Sequence, residues 1–338
     1  MSERRVAIIG AGAAGLAAAY DLTRAGYAVD IYEASAEVGG LAAGFRDEGW
    51  DWTLEKFYHH WFANDDAVLG LIEELGARDK VLLPRPVTSL WLNGRIYQMD
   101  HPNIIVANLR LPISWPAKVR YGLAGLYLKL TKRWPPMERV TADRWLRRWM
   151  GDEAYEALWR SLLIGKFGAY YDRVNMAWFW ARVYKRTPHL GTFEGGFQAF
   201  LDLLADRVRQ QGGAIHLQAP VSAVRPLVGD RWAVESGGAT RDYDAVINTS
   251  APQILRRLVP DLPADYAAKL DALKYLGAVV VILALDRQLL IDGTYWLSLP
   301  ADHPDIAKSL KNLADVLDDL EDDAGARGRV EGALGLRR

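Results

Sequence analysis

The sequence predicts an α/β fold, and three observations carry that prediction. Residues 5–32 read as strand, glycine-rich turn, helix and strand; short strand-like runs return after residue 214; and a long helical, aromatic segment lies between the two blocks. Two separated blocks of sheet signal imply a domain assembled from distant stretches of chain, with a mixed α+β domain inserted. With 338 residues, half of them apolar, the chain is long enough for two cores.

Arg5 to Ile9 is a short apolar run ending in glycine, the pattern of a buried parallel strand. Ala13 to Ala25 follows as an Ala/Leu-rich helix closed by Gly26 at the C′ position, and Ala28 to Tyr32 is a second strand. The turn between strand and helix reads Gly10-Ala11-Gly12-Ala13-Ala14-Gly15, a G-x-G-x-x-G loop. Gly10 permits the tight turn, Gly12 lets backbone approach a pyrophosphate, and Gly15 lets the helix pack on the strand. The first helical amides, those of Ala13 and Ala14 among them, face the anion with the macrodipole in favour. Glu33, followed by Ala34, ends the second strand, where a carboxylate accepts both hydroxyls of an adenosine ribose and repels a 2′-phosphate. The glycines alone are a weak signal. Strand, loop, helix, strand and acid in order make this a Rossmann-type dinucleotide site.

Val87 to Met99 predicts a hairpin about an Asn93-Gly94 turn. Ile104 to Tyr184 is helical, punctuated by Pro112, Pro116, Pro135 and Pro136. Gly191 to Gln211 predicts a glycine-led turn into an amphipathic helix with Phe197, Phe200, Leu201, Leu204 and Val208 on one face. Strands are expected at 214–217, 221–225, 231–235, 245–248, 276–285 and 295–299. Ile306, Leu310, Leu313, Leu317 and Leu320 then sit at helical spacing in an acidic stretch, before a Gly/Arg-rich tail expected to be disordered.

Composition narrows the function classes. A net charge of -1 gives no basic face for nucleic acid. The absence of cysteine excludes disulfides, iron–sulfur clusters, thiolate zinc sites and a thioether-linked flavin, and fits a reducing cytoplasm. No third ligand is spaced to join His59 and His60, so no metal is expected. No apolar run approaches the roughly 20 residues of a spanning helix, and the polar N-terminus carries no secretory signal. A cytoplasmic protein with peripheral membrane contact is the expectation. Residues 110–133 mix Leu, Ile, Trp and Tyr with Arg110, Lys118, Arg120, Lys129, Lys132 and Arg133. That mixture suits a helix pair lying on anionic lipid, and equally a solvated basic face. Thirteen tryptophans, dense between Trp50 and Trp180, suggest an aromatic cavity or a lipid contact. The series Trp145, Trp149, Tyr155, Trp159, Phe167, Tyr170, Tyr171, Trp178 and Trp180 reads either as a substrate tunnel or as helical core.

Downstream of Glu33 come Gly39-Gly40, Leu41 and Gly44. The stretch from Val6 to Gly44 resembles, without a gap, the N-terminal motif of the FAD-dependent amine oxidase, protoporphyrinogen oxidase and phytoene desaturase superfamily. The resemblance implies FAD, with Gly39, Gly40 and Leu41 running along its pyrophosphate and ribityl chain. EGWDWTLEKFYHHWFANDD resembles the family segment beside the flavin ring, which makes His59 and Tyr58 the candidate catalytic residues. His59 or His60 either bonds flavin or substrate, or both form a structural pair. GTFEGGFQAFLDLLADRVRQQGGAIHLQAPVSAV resembles the return to the FAD domain, where Val221 contacts the adenine through its backbone, and DAVINTSAP resembles the segment closing over the cofactor.

This implies an FAD-binding domain of residues 1–86 and 190–258, a substrate domain of 87–189 and 259–303, and an acidic helix with tail over 304–338. The implied reaction is hydride abstraction from an apolar or amine small-molecule substrate. A flavin-dependent sugar-nucleotide mutase, using Arg173, Arg182, Lys185 and Arg186 for a diphosphate, is the alternative, as is an incomplete, non-catalytic flavoprotein. The family's second flavin motif, glycine-rich with Gly-Asp before a final helix, is not found after Pro300, so weakened flavin binding is expected.

Overall fold

The computed structural model describes residues 4–99, 103–275 and 293–299, with isolated positions between 280 and 290. The chain forms two compact units: Met1–Trp61, Asp65–Leu83 and Gly191–Tyr275 make the first, and Phe62–Asn64, Pro84–Leu190 and Leu276–Arg338 the second.

A four-stranded parallel sheet runs through the first unit, in the order Ala214–His216, Ala28–Tyr32, Arg5–Ile9, Ala245–Asn248. The strand at Arg5–Ile9 is apolar on both faces because both are covered. Val6 and Ile8 join Leu16 and Ala19 of the Ala13–Arg24 helix and Phe200, Leu201 and Leu204 of the Phe197–Gln210 helix. Ala7 and Ile9, pointing the other way, pack with Val224, Val234 and Tyr243 of an antiparallel sheet. That second sheet holds the expected strands, now Val221–Leu227 and Arg231–Ser236, and one the sequence hid, Ala239–Tyr243. ATRDY lacks apolar alternation because most of its side chains face solvent. The glycine-led turn before the long helix also contains a short strand, Leu190–Phe193.

Residues 259–275 correct the expected division of the chain. They belong to the first unit rather than to the inserted domain. Leu258 and Val259 are buried against the Val224–Tyr243 cluster, and Arg256 pairs at 3.6 Å with Asp271 of the Ala264–Asp271 helix.

One charge is buried under this sheet. Asp30 accepts from Arg5 Nη2 at 3.1 Å and pairs with His216 Nε2 at 2.7 Å, with Arg241 Nη1 at 3.6 Å. Burial alone would raise its pKa; the bonds to His216, Arg5 and Tyr243 outweigh that and hold the carboxyl below its ordinary value. A depressed folded-state pKa contributes stability that is present above the unfolded value, about 3.9, and lost as pH falls through the folded value. Asp30→Asn is therefore expected to lower stability at neutral pH by about 2 kcal/mol. The gap from wild type should close as urea midpoints are followed from neutral pH to below about 3.9. A gap independent of pH would show that packing, not charge, is what Asp30 contributes.

The second unit is helical. Its core gathers Leu128, Leu146, Met150, Tyr155, Leu163, Met176 and Phe179. Side-chain caps start four of its helices: Asn103 for Ile104–Arg110, Ser114 for Trp115–Leu130, Thr141 for Ala142–Met150 and Asn175 for Met176–Lys185. The predicted hairpin is present as Val87–Leu92 and Arg95–Gln98, with both turn residues at positive φ, Asn93 at 51° and Gly94 at 76°. Thr294–Ser298 pairs parallel to Val87–Leu92. Most of the strand expected over 276–285 lies outside the described residues. The acidic helix and tail over 304–338 also lie outside the described residues. The aromatic series divides: Tyr155 is fully buried, and Trp159 and Trp178 meet Phe179 and Phe167 edge to face at 4.8 and 4.7 Å. Trp149 instead faces solvent. Among the described residues, no helix is long and apolar enough to cross a membrane.

Candidate FAD site

The glycine loop leaves the carboxyl end of the Arg5–Ile9 strand, where open α/β sheets bind ligands. Gly10 holds φ at 101° and donates its amide to the Tyr32 carbonyl at 2.8 Å. A Cβ there would sit 2.8 Å from Thr249 Oγ1, and one at Gly15 would sit 2.0 Å from the Gly10 carbonyl oxygen. Both positions are glycine because the chain's own packing requires it. Gly12 differs: its φ is an ordinary -75°, and a Cβ would meet only Gly40 Cα at 3.8 Å and the Gly39 carbonyl oxygen at 3.9 Å. Among the described residues nothing stands closer than ordinary van der Waals contact to a Cβ at 12. What glycine keeps clear is the approach from outside to the amides of Ala13 and Ala14, the kind of surface that binds anions at a helix start.

The second glycine pair is laced to this loop. Gly39 donates its amide to the Ala11 carbonyl at 2.9 Å, and Gly12 and Gly39 form an isolated parallel bridge. A Cβ at Gly40 would come within 3.1 Å of Gly12 Cα, so the two backbones approach as closely as glycines allow. Leu41 then stands 89% exposed beside them. Gln198, buried on the apolar face of the Phe197–Gln210 helix, holds the far side. Its Oε1 accepts from Gly44 at 3.0 Å, and its Nε2 donates to the Val38 carbonyl at 3.0 Å and to Asp202 at 2.8 Å.

Glu33 reaches over the loop from the end of its strand. Oε2 accepts from the Ala11 amide at 2.8 Å and Oε1 from the Ser35 amide at 2.9 Å. A carboxylate offers about four acceptor positions, so each oxygen keeps one for a hydroxyl. Ala34 is exposed beside it. The chain returns past this end after the His216 strand: Gln218 donates to the Ser35 carbonyl at 2.9 Å and Ala219 to the Glu33 carbonyl at 2.8 Å. Val221 lies two residues on, at the start of the Val221–Leu227 strand.

Tyr58 and His59 arrive on the side of the second glycine pair. Leu54–Glu55 pairs antiparallel with Gly44–Phe45, and Lys56 donates its amide to the Ala43 carbonyl at 3.1 Å. Glu55 accepts from the first amide of the Phe197 helix at 2.9 Å. His59 Nδ1 donates to the Phe57 carbonyl at 2.6 Å, which leaves Nε2 as the acceptor of the neutral ring. Its ring stands 5.9 Å from that of Phe197, and Tyr58 is half exposed. Lys166 belongs to the second unit, where burial and the neighbouring Arg182 hold its amine below the ordinary lysine value. Of the candidate diphosphate group Arg173, Arg182, Lys185 and Arg186, Arg173 lies over the Tyr170 ring, Arg182 over the Trp178 ring, and Arg186 donates to Thr88 Oγ1 at 3.1 Å. Among the described residues no cluster of His, Asp and Glu could hold a metal ion.

Gln198, Thr249 and Glu55 are positioning residues that sequence reasoning missed. A signal existed for Gln198, since a polar residue on the stripe of Leu201, Ala205 and Val208 must be bonded if buried. No spacing marks the other two.

A parallel sheet with a glycine cradle at its carboxyl end, and an acid with free acceptor positions above it, defines a dinucleotide-binding fold of the flavoprotein class. The chain belongs to the flavin-containing amine oxidoreductase family, whose model matches residues 13–321. It is 25% identical to a 15-cis-phytoene desaturase of Arabidopsis thaliana over 84% of this chain and 55% of that protein. It is 30% identical to the coproporphyrinogen III oxidase of Propionibacterium freudenreichii subsp. freudenreichii, over 52% of this chain and 34% of that one. An oxidoreductase from Methanosarcina mazei shares the fold with a TM-score of 0.65 at 19% identity, covering 80% of this chain and 65% of that one. The chain thus spans about half the length of two plant phytoene desaturases it matches, 55% and 54%, and 66% of a Synechococcus elongatus one. The cofactor is FAD, and the residues present fit its ADP half.

Proposed function

We propose that this chain is the flavin-holding part of an oxidoreductase that removes a hydride from a C–H or C–N centre of an apolar or amine substrate. The carrying observation is Gly12, a glycine that internal packing does not require, set under a carboxylate with acceptor capacity to spare. In this reading the amides of Ala13 and Ala14 bind the pyrophosphate, Glu33 the ribose hydroxyls, and the Val221 backbone the adenine. Gly39, Gly40 and Leu41 follow the ribityl chain, and Tyr58 and the free Nε2 of His59 face the ring and substrate. The flavin supplies the hydride acceptor. The helical second unit is the substrate domain. Relatives named as a desaturase and an oxidase support dehydrogenation of an apolar carbon skeleton ahead of amine oxidation. The lack of cysteine supports a reducing, cytoplasmic setting.

The test is an absorbance spectrum of the purified chain with FAD, followed anaerobically as polyenes, porphyrinogens and amines are added. Bleaching of the bound flavin by one class is the expected result. Protein that takes up no FAD would remove the whole reading. A flavin complex that no member of the three classes reduces would remove the hydride reaction alone.

A further inference from the structure

The Trp115–Leu130 helix of the second unit turns its buried side, Ala117, Ala124 and Leu128, to the core. Its opposite side is apolar as well. Trp115, Val119, Leu123, Leu126 and Leu130 recur at helical spacing and are 67, 56, 64, 56 and 69% exposed. Ile105 and Leu109 of the preceding short helix are exposed too, as is Trp134 just beyond the helix end. A soluble helix normally puts polar residues on that side, and a continuous apolar stripe there marks an interaction surface.

Charge identifies the partner. From Asn103 to Met137 there is no acidic residue and there are six Lys and Arg, in a chain whose net charge is -1. Three of the six are tied to carbonyls of this unit: Lys118 to Leu109, Arg120 to Arg148 and Trp149, and Lys129 to Val183, Tyr184 and Arg186. Arg110, Lys132 and Arg133 are exposed at the ends of the stripe. Glu153, an acid at the helix start, accepts from the Ser114 amide at 2.6 Å and also from its hydroxyl. Tryptophan at either end suits the water–lipid boundary, where an amphipathic ring has both solvents within reach. With 16 residues the helix is about 24 Å long, enough to lie along a bilayer surface and too short to cross it.

We infer that this face docks the protein onto an anionic bilayer surface. Leucines and tryptophans of the stripe enter the headgroup–acyl boundary, and Arg110, Lys132 and Arg133 meet the lipid phosphates. The inference does not depend on the proposed reaction.

Flotation of the full chain with vesicles tests it, using phosphatidylcholine alone and phosphatidylcholine containing phosphatidylglycerol. Binding to the anionic vesicles that salt reverses is expected. The double variant Leu123→Glu with Leu126→Glu should bind at least tenfold less. Lys132→Glu with Arg133→Glu should lose about fivefold for each basic residue removed, on anionic vesicles only. All four positions are exposed and lie in the second unit, so flavin content should stay at the wild-type level and report that the variants are folded. Three results overturn the inference: no binding to either vesicle, equal binding to both, or wild-type binding by the leucine variant. If light scattering shows self-association that the leucine variant abolishes, without vesicle binding, the face is instead a contact between copies of this chain.

Discussion

Gly12→Val is expected to yield a folded protein that no longer retains FAD. The backbone at 12 has φ -75°, open to any residue, and a Cβ finds its nearest neighbour at 3.8 Å, so folding meets no obstacle. The added methyls project to the side where the pyrophosphate must lie against the loop amides. Losing even two charge-assisted hydrogen bonds there costs about 3 kcal/mol, or roughly a hundredfold in dissociation constant. Gly15→Ala is the contrasting control. Its methyl would lie 2.0 Å from the Gly10 carbonyl oxygen, so the strand-to-helix turn itself cannot close and the loss should be of soluble protein. Thermal melts and flavin titration separate the two outcomes. A Gly12→Val protein that binds FAD as wild type does would show that the loop is not the phosphate site.

Glu33→Ala has the second large effect. The ribose loses two hydrogen bonds to a charged group, each contributing about 1.5–3 kcal/mol, so FAD should bind at least a hundredfold more weakly. The fold should suffer less, because the Glu33 side chain accepts from the amides of Ala11 and Ser35 at the rim of the site, and the substitution leaves its backbone bonds in place. Glu33→Gln should fall between, keeping one acceptor oxygen and placing a donor where an amide already donates. Full flavin occupancy after dialysis of the alanine variant would displace Glu33 from this role.

How much was legible depended on whether the information was local. Gly10 to Glu33 could be read whole, because turn, helix, strand and acid succeed one another within a β-α-β unit. The Asn93-Gly94 hairpin was equally plain. Gln198 and Thr249 were not, since each acts on glycines some 150 to 240 residues away, and no sequence spacing encodes that. Ala239–Tyr243 was hidden because one edge strand of a small sheet has little apolar face to show. Val259 misled as to domain, because an apolar residue says that it will be buried but not against which sheet.

The pairing of Val6 with Ala245 has a consequence for biosynthesis. The first strand of the FAD domain leaves the ribosome early, but its neighbour on one side is made 239 residues later. At about 5–20 residues per second, that delay is roughly 12–48 s. Throughout it the nascent β-α-β unit carries an open, strongly apolar edge, with Ala7 and Ile9 still uncovered on the other face. Yield in a cell should therefore respond to chaperone supply and translation speed more than to the stability of the finished domain, and late truncations that spare every flavin ligand should still aggregate if they remove Ala245–Asn248.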